Sequence, residues 1–271
     1  MAFVLNAVIK MNLLLYILVF NLLGSVISLF GGIILLLKQK NIHKIAHYLA
    51  SFAAGTLLGT VFFDLLPEAI EGAEKTKNGL PMVFFFVLLG ILSFFVLERF
   101  LHWFHHHGFE EHEIKGKPIV PLIMIGDTIH NFVDGITIAA TFMASIPLGI
   151  ITTFAVGAHE IPQEIGDFGL MLKQGLSKRR VLLLNVLSAF ASFLGAILTY
   201  YFSSHIEGLS IIFISIASGF FLYIALSDLI PEIHHENKKG LALIETLWLL
   251  GGVIVIYFAL FFVRSVLHIN P

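Results

Sequence analysis

The chain has 271 residues, 58% of them hydrophobic and 13% charged, against the ~25% charge of a soluble domain of ordinary composition. This balance, with a mean hydropathy of +0.93, points to an integral membrane protein and leaves no room for a separate soluble domain. The formal net charge of −2 comes without a basic block, which argues against nucleic acid as a partner. Cysteine is absent, so disulfides and thiolate ligands are excluded, and any metal has to be held by nitrogen and oxygen donors.

Eight apolar runs long enough to cross a bilayer, about 20 residues each, fall near 13–37, 46–69, 81–104, 119–143, 147–172, 181–203, 210–231 and 244–266. The first is long enough to span and remain, so it does not read as a cleavable signal. Pro81, Pro118, Pro121 and Pro147 mark helix starts, where a missing N–H costs little, whereas Pro67 and Pro231 sit near the ends of the second and seventh runs. The predicted fold is therefore all-α with eight transmembrane helices in one domain, residues 1–271.

An even number of spans puts both termini on one side. The connections after helices one, three, five and seven hold twelve of the sixteen Lys and Arg; the other four are Lys10, Lys75, Lys77 and Arg264. The positive-inside rule then places both termini outside the cytoplasm, in the cell membrane. An internal echo accompanies this count. Ser51–Glu68 (SFAAGTLLGTVFFDLLPE) aligns without gaps with Ser215–Glu232 (SIASGFFLYIALSDLIPE). With one run heading outward and the other inward, the pair reads as an inverted repeat that brackets helices four and five in a 3+2+3 arrangement. Asp64, Glu68, Asp228 and Glu232 read as solvated acids towards helix ends.

Between helices three and four lies a cytoplasmic His-rich loop, residues 105–117, preceded by His102. His102, His105, His106, His107 and His112 make five of the thirteen histidines. Such a tract is a candidate for weak, exchangeable metal contact.

The costliest residues lie in runs four and five. An ionisable group at the bilayer centre costs roughly 2.5–3.5 kcal/mol on insertion scales, so it needs a partner or a function. Run four carries Asp127 and the string HNFVDG (His130–Gly135); run five carries HEIPQE (His159–Glu164) and Asp167. His130 and Asp134 stand one helical turn apart, as do His159 and Gln163, and Glu160 and Glu164, so each pair can reach a common ion. Asn131 lies to the side of the first pair. Pro162 is expected to kink or unwind its helix, which at this depth is tolerated only beside protein or a water-filled cavity. The candidate metal ligands are thus His130, Asn131, Asp134, His159, Glu160, Gln163 and Glu164. Asp127 and Asp167 are open to a plainer reading as partners in helix contacts, and Asn185 and Ser188 of run six as polar contacts between helices.

HNFVDG followed by HEIPQEIGDF resembles the ZIP (Zrt/Irt-like protein) family of divalent-metal transporters, in the branch whose fourth and fifth helices read HNxxDG and HExPHE. The likeness extends over the chain through its eight runs, its His-rich loop and its DLLPE-type helix ends. It implies uptake of a divalent transition metal into the cytoplasm, Zn²⁺ foremost, with Fe²⁺, Mn²⁺, Co²⁺ and Cd²⁺ as further cargo and no cofactor. It also implies a lipid bilayer as setting and a homodimer as assembly. By motif position the family's ligands fall on His130, Asn131, Asp134, His159, Glu160 and Gln163. At the last position the branch has His, and other members have a metal-bridging carboxylate; an amide is the weaker, uncharged ligand. Glu164 keeps the motif's final acid.

Two other classes compete with transport. An intramembrane zinc metalloprotease needs HExxH, two imidazoles on one helical face with Glu as base. The chain instead reads His159-Glu160-Ile161-Pro162-Gln163, without the second His. A metal sensor or store built on the His-rich loop predicts binding without flux.

Overall fold

The computed structural model describes residues 13–37, 42–74, 79–107, 119–203, 209–234 and 239–266. Among them the chain forms eight helices and no strand. These are α1 (Leu13–Leu37), α2 (residues 42–74), α3 (Gly79–His107), α4 (Ile119–Ala144), α5 (Ile146–Lys173), α6 (Lys178–Ser203), α7 (residues 209–234) and α8 (Lys239–Val266). Most run past the boundaries expected from hydropathy by a few residues, because polar flanks add turns that an apolar window does not register. Six of them, α1, α2, α3, α6, α7 and α8, are long and apolar enough to cross a membrane. The other two are the carriers of the polar strings, whose ionisable and amide side chains lower their hydropathy.

Among the described residues the exterior is largely apolar, and a polar group lies inside an otherwise apolar core. Phe258 and Phe261 of α8 are 63% and 71% exposed, while Asn131, Asp134, His159 and Glu160 are buried. That distribution suits a hydrocarbon surround, in which polar groups gain by facing one another.

Helix α4 packs on α6 and α5 on α1; α2 lies along α8 and α3 along α7; α4 and α5 also touch each other, α7 and α2. Exchanging α1 with α6, α2 with α7, α3 with α8 and α4 with α5 maps this set of neighbours onto itself. Small residues permit the close approaches. A Cβ on Gly55 would strike the Leu249 carbonyl of α8, and one on Gly252 the Phe52 carbonyl of α2. The other half repeats this with Gly219 against the Val87 carbonyl and Gly90 against the Ile216 carbonyl. Backbone-to-backbone contact of this kind is how membrane helices gain dispersion energy without a hydrophobic driving force.

Helices α2 and α7 share a further irregularity. Each contains a π-helical turn, Val61–Leu65 in α2 and Ile224–Leu229 in α7. The N–H of Leu66 reaches the carbonyl of Val61, and that of Ile230 the carbonyl of Ala225. Pro67 and Pro231 come one residue later. Each ring removes a donor and crowds the carbonyl four residues back, and widening the turn by one residue relieves that crowding. By contrast, α5 remains α-helical from Ile146 through Lys173 with Pro162 inside it. The unwinding expected at Pro162 is not found, since one missing N–H leaves the bonds on either side in place.

The expectation for Asp64 is also corrected. Asp64 is 2% exposed, and its Oδ1 accepts a bond from Arg264 Nη2 at 3.0 Å. It is no solvated helix end, because α2 continues beyond it to Glu74. The backbone of α3 runs to His107, but the side chains of His102, His105, His106 and His107, and the whole of His112, lie outside the described residues.

Candidate metal centre

One residue joins the two polar helices. Ser145 is extended (φ −158°, ψ 151°), and its side chain caps α5 by accepting from the N–H of Leu148, with Pro147 in the first turn. His130 and Glu160 each stand fifteen residues from Ser145, one on either side. At 1.5 Å per residue both lie about 22 Å along their helices from the turn. The sharp reversal therefore sets the two strings at one level, and the pairing of α4 with α5 brings their faces together.

His130, Asp134, His159 and Glu160 each offer a ligand atom, and the four atoms lie within 4.8 Å of one another. His130 Nε2 is 3.1 Å from His159 Nε2, 3.3 Å from Glu160 Oε1 and 3.8 Å from Asp134 Oδ2. His159 Nε2 is 3.4 Å from Asp134 Oδ2 and 3.9 Å from Glu160 Oε1. Two nitrogens and two carboxylates thus converge on one point.

The surroundings prepare these groups as ligands. His159 Nδ1 lies 3.2 Å from the Ala155 carbonyl. A carbonyl only accepts, so Nδ1 carries the proton and the Nε2 lone pair faces the centre, which is the usual support behind a metal-bound imidazole. Phe94 of α3 meets the His130 ring edge-on at 5.7 Å, and Phe221 of α7 stands 5.9 Å from the His159 ring. Oδ2 of Asp134 and both oxygens of Glu160 are buried without a hydrogen bond among the described residues. Buried carboxylate oxygens in that condition are costly unless a positive charge meets them. The donor set of imidazole nitrogen and carboxylate oxygen fits a borderline divalent ion.

The remaining candidates stand around this group. Asn131 is buried, but its amide nitrogen donates to Asp127 Oδ1 at 2.8 Å and to the Asp127 carbonyl at 3.1 Å. Asp127 Oδ2 also accepts from Ser188 Oγ of α6. Glu164 is buried and groups with Asp127 and Glu160. Gln163 is half-buried on the wall of a cavity of about 450 Å³ that His130 and His159 also line.

That cavity reaches His130 and His159 from the side where α3 ends and α4 begins. Its walls include Glu98 of α3, Asp127 of α4, Pro162 and Asp167 of α5, and Asp228 of α7, and no Lys or Arg among the described residues. Asp228, which sequence reading leaves as a solvated end, is part of this wall. On the opposite side of the centre, Asn21, Ser25 and Ser192 border a space of only about 10 Å³ against Asn131, Asp134 and Glu160, roughly the room of one water. Beyond it the rings of Tyr16, Phe20 and Phe142 close together. Sequence reading misses Asn21, whose Nδ2 donates to Ser192 Oγ at 3.1 Å. A lone amide in the first apolar run is the signal that could have found it.

The family model described as ZIP zinc transporter matches residues 11–118 and 105–259. The chain is 33% identical over 224 residues to zinc transporter ZIP13 of Pongo abelii, covering 79% of this chain and 66% of that protein. It is 28% identical over 307 residues to the ZIP13 homolog of Drosophila melanogaster, covering 87% and 86%. With zinc transporter ZIP4 of Mus musculus the identity is 40% over 134 residues, 48% of this chain but 20% of that one. The chain thus spans about two thirds or less of several of the relatives it matches. With the family model matching most of its length, the chain belongs to the ZIP zinc transporter family.

Proposed function

We propose that the protein carries divalent transition-metal ions, Zn²⁺ foremost, across a membrane into the cytoplasm through the centre between α4 and α5. The observation that carries this reading is the convergence of His130, Asp134, His159 and Glu160 within 4.8 Å, in the seam of a molecule whose exterior suits lipid. Names of relatives from mammals and fly, all zinc transporters, support the choice of cargo.

In this reading all eight helices cross the bilayer and both termini lie outside. Twelve of the sixteen Lys and Arg then fall in the connections on the cytoplasmic side. The exchangeable helix neighbours and the paired π-turns support an inverted repeat, α1–α3 with α6–α8, around α4 and α5. With α4 starting in the cytoplasm, the 450 Å³ cavity opens inward and the aromatic closure lies outward. The structure then corresponds to an inward-facing state, and delivery proceeds from the imidazoles along the acid-lined wall.

His130, Asp134, His159 and Glu160 replace the water that the ion sheds, with the two carboxylates offsetting its charge. Gln163, Glu164 and Asn131 stand next to them, and the His-rich loop with His102, His105, His106, His107 and His112 meets the ion after release. A divalent ion moving inward at 100 mV gains about 4.6 kcal/mol, at about 2.3 kcal/mol per charge, so uptake needs no further coupled gradient. The homodimer of the family resemblance belongs to the same reading.

The test is uptake by purified protein in sealed vesicles, with Zn²⁺, Mn²⁺, Fe²⁺, Co²⁺ and Cd²⁺ in parallel. Saturable entry with Zn²⁺ preferred is the expected result. Metal binding without flux would turn the protein into a sensor or store.

A further inference from the structure

The metal centre shows different ligands to its two sides. His130 and His159 line the cavity of about 450 Å³, whereas Asp134 and Glu160 line the space of about 10 Å³ that α1 and α6 close. Glu160 turns Oε1 towards the imidazoles, 3.3 Å from His130 Nε2. Its Oε2 is buried with no hydrogen bond among the described residues, and the whole side chain is 3% exposed. An oxygen in that condition is costly unless a donor reaches it.

The opposite wall of the small space is made of polar groups whose hydrogens can be counted. Ser192 Oγ gives its hydrogen to the Ala189 carbonyl at 2.7 Å, so at its 3.1 Å contact with Asn21 Nδ2 it accepts. Asn21 therefore presents its amide nitrogen here, and that nitrogen carries a second hydrogen. Among the described residues no acceptor takes it. Ser25, one turn after Asn21 on α1, gives its own hydrogen to the Asn21 carbonyl at 3.0 Å. Asn131 spends both amide hydrogens on Asp127. One donor from α1 and one carboxylate from α5 are thus left over, and both border the same space. Its volume is about that of one water, which needs two to four polar partners. Asn21, Glu160 and Asp134 supply three.

We propose that Asn21 is a positioning residue for the metal centre, acting on Glu160 through one water held in this space. The water accepts from the Asn21 amide and donates to Glu160 Oε2, with its other hydrogen directed to Asp134. Ser192 fixes the amide by taking its first hydrogen. Oε2 is then occupied, and Oε1 stays aimed at the ion. Leucine, the apolar residue closest in shape to asparagine, would leave Oε2 bare and free the carboxylate to turn. The inference rests on the transport reading in taking the four-residue group as the place that holds Zn²⁺.

The probe is Zn²⁺ itself, titrated into the purified full chain in detergent in competition with a chelating dye. Asn21→Leu should weaken binding by about tenfold, the usual effect of losing the partner behind a metal ligand. Glu160→Asp keeps the charge but withdraws it from the space by one methylene. Adding Asn21→Leu to Glu160→Asp should therefore change affinity by less than about twofold, a non-additivity that general damage to packing does not produce. If Asn21→Leu does not fold, Ser192→Ala, which frees the amide to turn, is read in the same two backgrounds. Unchanged affinity in Asn21→Leu overturns the proposal, as does an equal loss with and without Glu160→Asp, and the transport reading stands in both cases. A wild type that binds no Zn²⁺ overturns both.

Discussion

Two carboxylates buried in helices of this protein meet different fates. Asp64, in the π-turn of α2, has its own cation: Arg264 of α8 donates to it at 3.0 Å. Asp134 of α4 has imidazole nitrogens at 3.4 and 3.8 Å and a Glu160 oxygen within 4.8 Å but, among the described residues, no Lys or Arg partner, and its Oδ2 takes no hydrogen bond there. Both are almost fully buried. A buried acid paired with a permanent guanidinium is a structural tie, since the arginine cannot give up its charge. A buried acid facing neutral or neutralisable rings is incomplete until a cation arrives. Depth and burial alone do not separate structure from function; the identity of the counter-charge does.

The largest effect is expected from removing the incomplete acid. Asp134→Ala takes away a carboxylate that offsets the charge of a dehydrated ion, so saturable Zn²⁺ uptake should fall to background, with thermal stability near wild type. Relief of an unsatisfied buried charge even favours the fold. Arg264→Met reverses this pattern. It strands Asp64 in α2 and should lower stability by about 1–3 kcal/mol, less than the 3–5 kcal/mol of a fully buried pair, because Arg264 is 37% exposed. Zn²⁺ affinity should stay within about twofold of wild type, because neither Asp64 nor Arg264 belongs to the four-residue group. Loss of uptake without loss of stability in Arg264→Met would dissolve the contrast.

A smaller effect separates the two regions by pH. Metal binds neutral imidazole and ionised carboxylate, so protons compete with it at His130, His159, Asp134 and Glu160. As external pH falls from about 7.5 to about 5.5, proton competition for these ligand atoms grows and apparent Zn²⁺ affinity should weaken. The Michaelis constant at fixed free Zn²⁺ should rise accordingly. A flat profile would remove the histidines from the ligand set.

The smallest effect concerns Gln163, on the wall of the cavity that His130 and His159 line. Gln163→His puts a nitrogen one turn after His159, which helps zinc more than manganese. Zn²⁺ uptake relative to Mn²⁺ should rise a few-fold, with a lower Michaelis constant and a lower maximal rate because tighter holding slows release. An unchanged ratio would mean that position 163 does not meet the ion on its way.

Much of this was legible beforehand. Eight apolar runs translate directly into eight helices, because hydrogen-bond satisfaction in lipid leaves few alternatives. The polar strings stood out because each charge at that depth carries a cost and because four-residue spacing stacks side chains on one face. Three features were not legible. The pairing of Asp64 with Arg264 joins residues two hundred positions apart, and nothing local in either helix announces it. The π-turns depend on how α2 and α7 absorb Pro67 and Pro231, for which a kink or a stop would have served as well. The orientation of Asn131 towards Asp127 instead of the imidazoles depends on Ser188, a residue of another helix. In each case the missing information is a contact between elements, which periodicity does not encode.

The central claim, that the four convergent side chains hold the transported ion, is tested most directly by X-ray absorption on the Zn²⁺-loaded protein. The account predicts two imidazole ligands with Zn–N near ~2.0–2.1 Å and carboxylate oxygens completing the shell. His159→Ala should retain one imidazole, and His130→Ala with His159→Ala none. A wild-type spectrum without imidazole, or one unchanged by removal of both histidines, would contradict it.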